Sequence, residues 1–460
     1  GMDSTIVNVA LPSIGRDLHA PVSGLQWTLD AYLLVLASLL MLSGSVADKV
    51  GRRRVFQIGL ALFTLGSLAC SLAPSLGWLV AFRALQAVGG SMLNPVAMSI
   101  VTNTFTHPKE RAQAIGVWGS VFGLSMALGP VIGGALIAEI GWRSVFWINI
   151  PIGIAAIILT ALFVPESKAA RTRALDPVGQ ALVIVFLGTM SYGVIEGPTY
   201  GWGSARILVF FVVAVVALAA FLAYEPRRAE PLVDLRFFRS LPFSGAAVMA
   251  ISAMVAMGGF LFLMALYLQD VRGYSPLIAG LFLLPMAIAM ALSAPLAGRA
   301  IASRGGPRMP LVIAGIGIIA GGLMLTQMTD SSSDWYILLS GLVFGVGMGW
   351  VNAPITNSAV SGMPRSQAGV ASGIASTSRQ IGSSLGVAVM GSVLAGNLHG
   401  SLAAGFAAAA RPGWWIVVGC GSVVFVFALL TTGRAGRASA ERAATIITAA
   451  ESEPKVPAAV

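Results

Sequence analysis

Five ionisable side chains lie inside apolar stretches of this chain: Asp3, Asp30, Arg83, Glu196 and Arg379. Each costs at least about 2.5 to 3.5 kcal/mol to hold in hydrocarbon, so each is a candidate for function. If Ile14 marks the end of the first apolar run, Asp3 lies about 16 Å below it along a helix, near the middle of a bilayer. A carboxyl group at that depth can take up and release a proton. Arg83 shares a helical face with Gln86, Gly90 and Asn94, spaced 3, 4 and 4 apart, so a polar stripe runs along one side of its helix. Arginine cannot shed its charge to escape burial and needs a partner, which Asp3 or Asp30 could supply. Arg379 repeats the pattern with Ser372, Ser376, Ser383 and Gly386. Asp30 falls about one turn inside its stretch, placed to cap the helix or to meet Tyr32 at a cavity mouth. Glu196 ends another stretch, as a cavity or interface residue. If Asp3, Asp30 and Glu196 all face a cavity, they favour a cationic ligand.

The elements that must hold these residues are membrane helices. The chain is 57% hydrophobic and 10% charged, whereas a soluble chain carries about a quarter charged residues. Fourteen apolar stretches follow one another, from 1–14 to 413–432, joined by short polar connections. Most match a hydrocarbon layer of roughly 30 Å. Gly1 is not an initiator methionine and the first stretch falls short of a full crossing, so an abridged first span is expected. The formal charge of +10 raises the question of nucleic acid, which the placement of the basic residues answers. With the N-terminus inside, inner loops and the C-terminal segment hold 21 of the 28 Lys and Arg, and outer loops hold five. That is the positive-inside pattern. It predicts a multi-pass membrane protein with both termini cytoplasmic and no nucleic-acid partner.

Other chemistry is thinned out by what the sequence lacks. Cys70 and Cys420 both fall in apolar stretches, so neither a disulfide framework nor a metal site is expected. No phosphate-cradling Gly-x-x-x-x-Gly-Lys-Ser/Thr is present, so no cofactor is expected and an ion gradient becomes the energy source. Gly382-Ser383-Ser384-Leu385-Gly386 does match the Gly-x-Ser-x-Gly pattern of hydrolases. In mid-helix, far along the axis from His399, those small residues read better as helix packing.

Glycines mark the joints. Gly119, Gly123, Ala127, Pro130 and Gly134 form a small-residue seam, as do Gly341, Gly345, Gly349 and Asn352. Gly44, Gly51 and Arg54 align on Gly298, Gly305 and Arg308 at a constant offset of 254, a weak internal repeat. The expected fold is therefore all-α and polytopic, with a six-helix bundle over 1–164 and a linker with two inserted spans over 165–242. A second six-helix bundle covers 243–432, and a cytoplasmic tail covers 433–460. Such repeats rock about a central site.

Several motifs resemble the fourteen-span drug:proton antiporters of the major facilitator superfamily, the EmrB/QacA type. These are Met2 to Pro12, Gly44 to Arg53, Arg83-Ala84-Leu85-Gln86, Gly129-Pro130-Val131-Ile132-Gly133-Gly134, and Trp142 to Gly153. The resemblance implies the major facilitator fold, with Asp3 and Arg83 handling the proton. It implies a cytoplasmic gate of Gly44, Asp48, Gly51, Arg52 and Arg53, in which Asp48 with Arg52 and Arg53 forms a charge relay. It also implies an antiporter motif of Gly129, Pro130, Gly133 and Gly134. Ala87 and Ser125 stand where the family has glycine, and Ala302 stands where Asp48 would have its counterpart, so a one-sided latch is expected. The function implied is proton-coupled export of amphipathic or cationic organic compounds by alternating access. Asp30, Tyr32, Gln86, Asn94, Glu196 and Arg379 are the cavity candidates. The expected partners are small-molecule substrates, protons and membrane lipid, and the expected state is a monomer. The alternatives are a dedicated exporter of one endogenous metabolite or lipid, a serine hydrolase using Ser384, and a non-transporting sensor.

Overall fold

The computed structural model describes residues 1–105, 107–168, 175–228, 231–304, 306–361, 363, 367–400 and 402–452. All the regular structure among them is helical. The N-terminal group comprises α1 (Asp3–Asp17), α2 (Val22–Val50), α3 (Arg52–Ser71), α4 (Leu76–Thr104), α5 (Pro108–Glu139), α6 (Ser144–Trp147) and α7 (Asn149–Phe163). Two further helices follow, α8 (Pro177–Tyr200) and α9 (Ala205–Tyr224). The C-terminal group holds α10 (Leu241–Leu266), α11 (Pro276–Arg304), α12 (Arg308–Thr326), α13 (Asp334–Gly349), α14 (Asn352–Val360), α15 (Ala368–Asn397) and α16 (Leu402–Thr431). The segment read as a tail forms α17 (Arg434–Ser452). Its Ala440, Ala443 and Ile447 are buried, and it packs on α10 and α16. Their spacing of 3 and 4 gives an otherwise polar segment one apolar stripe.

Among the described residues, twelve helical segments are long and apolar enough to cross a membrane, with α6–α7 and α13–α14 each forming one segment. The two remaining stretches of the expected fourteen are also helices, but they do not meet that standard. α1 has only 15 residues. The 30-residue α15 carries Arg379 and a run of serines that lower its hydropathy. Its position explains the tolerance: α15 packs against α2, α8, α10, α14 and α16. α9 is the opposite case, exposing Val209, Val212, Val215 and Val216 as a lipid-facing surface.

Helices in hydrocarbon gain little from the hydrophobic effect against one another, so close backbone approach carries the packing. A Cβ on Gly66 of α3 would lie 2.6 Å from Gln86 Cα of α4. Gly345 and Gly349 of α13 press on Met286 and Met290 of α11, as their seam predicts, whereas Gly341 makes only ordinary contact there. In the α5 seam, Gly129 and Gly133 abut Thr5 and Ile6 of α1, while Gly123 faces open space. The packing of Gly119 and the position of Gly305 lie outside the described residues.

The two groups meet through α2 with α15, α5 with α11, and α1 with α10. At one end of the molecule, Gln26 of α2 donates to the carbonyls of Val387 and Ala388 (3.3 and 2.7 Å) on α15. There too, Gln269 donates to the carbonyl of Val9 (2.8 Å) and Arg16 pairs with Asp270 at 3.1 Å. These four hydrogen bonds between the two groups all lie toward this end. The structure is thus sealed at the Arg16 end. Gly134 belongs to that seal, because a Cβ there would lie 2.7 Å from Leu277 Cα of α11. Gly134→Val is expected to force the α5–α11 contact apart at a cost of about 1–3 kcal/mol. A lower melting temperature in detergent, with faster labelling of a cysteine placed at Leu277, checks it.

Candidate functional site

Asp3 is 7% exposed and Arg83 1%, and they pair at 3.0 Å between α1 and α4. The choice left open by the sequence, Asp3 or Asp30 as the partner of Arg83, is settled in favour of Asp3. The other carboxylate oxygen of Asp3 accepts from Gln86 Nε2 (3.1 Å) and Asn149 Nδ2 (3.0 Å). Gln86 in turn accepts from Arg83 (2.6 Å) and donates to Ser67 Oγ (2.8 Å). Arg83 Nε donates to the Thr28 carbonyl (3.2 Å), and the guanidinium stacks over the Tyr32 ring at 4.2 Å. Gly90 leaves room for the Tyr32 hydroxyl, which a Cβ would approach to 2.8 Å. A buried ion pair repays its desolvation only when further hydrogen bonds satisfy it, and this one is met by Gln86 on the arginine's own α4 and by two further helices, α2 through Thr28 and α7 through Asn149, with Ser67 of α3 holding Gln86 in place. Ser67, Thr28 and Asn149 were not singled out individually from the sequence. For Asn149 the signal was its place inside the Trp142 to Gly153 motif.

Asp30 does not join this network. Thr28 and Tyr32 are four apart and share the α2 face toward α4, and a residue two positions from each points the other way. Of the two roles expected for Asp30, meeting Tyr32 is corrected by this rotation, and capping is corrected because α2 begins at Val22 with Pro21 as its N-cap. Asp30 is fully buried, closes no hydrogen bond, and faces the hydroxyls of Ser191 on α8 and Ser384 on α15. The same serine that completes the hydrolase pattern is thus enclosed in mid-helix, 2% exposed. Beside these serines lies a cavity of about 70 Å³. A larger apolar chamber of about 470 Å³ adjoins it, walled by α2, α8, α9, α10 and α15 and touched by Ser38, Thr377 and Ser378.

The remaining candidates fall in separate places. Asn94 is half-buried on α4, beyond Gly90 and outside the Asp3 network. Glu196 accepts from Trp27 Nε1 at 2.9 Å, tying α8 to α2, which makes it an interface residue. Arg379 is half-buried and donates to Ser376 (2.7 Å) and Thr356 (3.5 Å), with no carboxylate in salt-bridge range among the described residues.

At the basic-turn end, Asp48 pairs with Arg52 at 2.8 Å. Arg53 does not complete a relay with them, because it donates instead to the Ala161 carbonyl at 2.9 Å. The acid that gathers this turn is Glu166, just after α7, which accepts from the backbone N–H groups of Arg53 (3.1 Å) and Arg54 (3.3 Å). Those donors belong to the exposed first turn of α3, where a carboxylate also answers the helix dipole. Gly51 joins α2 to α3 at φ 135°, and a Cβ there would also strike the Glu166 carboxylate. Gly44 is under no such constraint, its would-be Cβ lying 3.9 Å from Pro95. At the opposite end, hydrogen bonds from Trp142 (2.8 Å) and Arg143 (2.9 Å) hold the Asp17 carboxyl below the usual range.

Two helical groups sealed at one end, with a buried ion pair inside one of them, define a membrane transporter. The chain belongs to the Major Facilitator Superfamily, whose sequence profile matches residues 1–387. It is 39% identical to the multidrug resistance protein Stp of Mycobacterium tuberculosis (strain ATCC 25618 / H37Rv) over 87% of this chain and 74% of that one. It is also 39% identical to the tetracenomycin C resistance and export protein of Streptomyces glaucescens, over 86% of this chain and 73% of that one. Among solved structures, a bacterial homolog of the human lysosomal transporter Spinster, inward-facing and unoccupied, superposes with a TM-score of 0.61 at 18% identity. That match covers 98% of this chain and 95% of the other. The fold is thus that of a transporter and not of an enzyme.

Proposed function

We propose that this protein is a proton-coupled multidrug exporter of the bacterial inner membrane, with fourteen crossings and both termini cytoplasmic. The observation that carries the proton coupling is the Asp3–Arg83 pair, buried at 3.0 Å within the N-terminal group. The export reading is supported by the relatives, which are named as resistance and export proteins. The fourteen crossings take the twelve apolar segments with α1 and α15, whose polar residues face other helices. The six-helix groups of 1–164 and 243–432 act as the rocking bodies, with 165–242 inserted between them. The basic turn at Asp48 then faces the cytoplasm, as the distribution of Lys and Arg requires, and the sealed Arg16 end faces outward.

In this cycle Asp3 carries the proton. When it is ionised, Arg83, Gln86 and Asn149 all donate to it and draw α1, α4 and α7 together. When it is protonated, one accepting position is lost and the Arg83 charge is released toward the Thr28 carbonyl, Gln86 and the Tyr32 face. That change in attraction between helices of one group favours one arrangement of the transporter over the other. Asp48–Arg52 and the Glu166 cradle latch the cytoplasmic side, and the α5 glycines at 129, 133 and 134 permit close approach at α1 and α11. Amphipathic substrates bind between the groups, with the Asp30 region, Asn94 and Arg379 as polar contacts.

Purified protein in liposomes, with a fluorescent lipophilic cation and an imposed pH gradient, tests the reading. Accumulation in vesicles that are acidic inside, abolished by an ionophore, is the expected result. Movement that ignores the gradient would sink proton coupling. A second reading, a dedicated exporter of one compound, is favoured by relatives named for single compounds, such as tetracenomycin C. A panel of unrelated substrates distinguishes the two, since only one compound moves under the second reading.

A further inference from the structure

The base of the α8–α9 hairpin holds two buried carboxylates that transport through Asp3 does not use. Asp176 is 4% exposed and Glu225 is fully buried. Asp176 caps α8: its Oδ1 accepts from Gly179 N at 3.0 Å and from the Tyr224 hydroxyl at 3.2 Å. Glu225 follows α9, and its Oε2 accepts from Val233 N at 3.4 Å, folding the linker back. The second oxygen of each, Asp176 Oδ2 and Glu225 Oε1, is buried without a hydrogen-bond partner. Both orphaned oxygens flank Gly179, since a Cβ there would lie 2.7 Å from the first and 2.6 Å from the second, so the two are no farther apart than the sum of those distances.

Two carboxylates crowded together away from water do not both ionise cheaply, and a single proton between them converts the repulsion into a hydrogen bond. Among the described residues, none supplies a countercharge in contact with the two acids. Tyr224 already donates to Asp176, and Arg228 lies over the Tyr224 ring at 5.6 Å. Arg228 forms no ion pair with either acid among the described residues, and Asp234, the next acid along the linker, is occupied with Arg236 at 2.7 Å. No third metal-ligating side chain joins the two among the described residues, which disfavours a divalent ion.

We propose that Asp176 and Glu225 share one proton, making the hairpin base a second protonatable site, separate from Asp3. In the shared state the Glu225 carboxyl donates to Asp176 Oδ2, and neither orphaned oxygen remains unpaired. Loss of that proton leaves two charges facing each other across Gly179. The clasp between the start of α8, the end of α9 and the linker at Val233 then loosens. A carboxyl held protonated in the folded state contributes stability below its titration, and that contribution is lost as pH rises through it.

Infrared titration of the purified full-length protein in liposomes tests this, read at the C=O stretch of protonated carboxyl groups. The difference between wild type and Glu225→Gln is expected to show one carboxyl that stays protonated after the exposed acids have ionised. Glutamine keeps the size of the side chain and its acceptor for Val233, so folding is preserved. In Asp176→Asn, with its like charge removed, the remaining Glu225 is expected to release its proton at least about tenfold more readily, one pH unit lower. No difference band in Glu225→Gln would overturn the proposal, as would an unmoved Glu225 titration in Asp176→Asn. A band abolished by sodium or potassium at constant pH would also overturn it, in favour of a cation site.

Discussion

Vesicles containing Asp3→Asn are expected to show no gradient-driven export above protein-free vesicles, while exchange of substrate between compartments of equal pH persists. Asparagine has nearly the same shape as aspartate and still offers one oxygen to Arg83, so the helices have reason to stay together. It cannot carry a proton, and its amide meets the donors Gln86 Nε2 and Asn149 Nδ2, which now lie 3.1 and 3.0 Å from a carboxylate oxygen. The resulting mismatch costs about 1–3 kcal/mol. Normal accumulation against a gradient in this variant would remove Asp3 from the coupling role. Loss of both gradient-driven transport and exchange would assign it to the conformational cycle itself.

The second large effect is on stability. Arg83→Met is expected to destabilise the protein by about 3–5 kcal/mol, because it strands the Asp3 carboxylate in a buried site. Gln86 and Asn149 remain as neutral donors, but they supply no charge. The double variant Asp3→Asn with Arg83→Met is expected to recover a large part of the loss, since neither charge is then left unpaired. Thermal or denaturant unfolding of all four proteins in one detergent closes the cycle. Additive losses would show that the two residues contribute separately, through packing and not as a pair.

Some of this arrangement was legible because helix periodicity is rigid. The 3-and-4 spacing of Arg83, Gln86 and Gly90 put them on one face, and all three meet at the network: Arg83 as a donor, Gln86 as both donor and acceptor, and Gly90 as space for Tyr32. The same periodicity places Asp30 opposite Thr28 and Tyr32, and the expectation that joined Asp30 to Tyr32 overlooked that rotation. Glu166 and Asn149 carry no such signal. Each acts on residues of another helix, and sequence separation says nothing about which helix ends meet. Arg53 turned elsewhere, since its neighbour Arg52 already occupied the Asp48 carboxylate across the Gly51 turn between α2 and α3.

By itself the sequence determined the membrane class, the order of the helices and the local faces, because apolar run length and helical spacing are properties of consecutive residues. Tertiary structure alone decided which acid Arg83 chose, which end of the molecule is sealed, and where the unpaired carboxylates came to rest. The physical reason is that burial and pairing are set by neighbours distant in the chain: Asp3 and Arg83 are 80 residues apart, and Asp176 and Tyr224 are 48 apart. A charge inside a membrane declares that it needs a partner, and only the packing of helices against one another selects it.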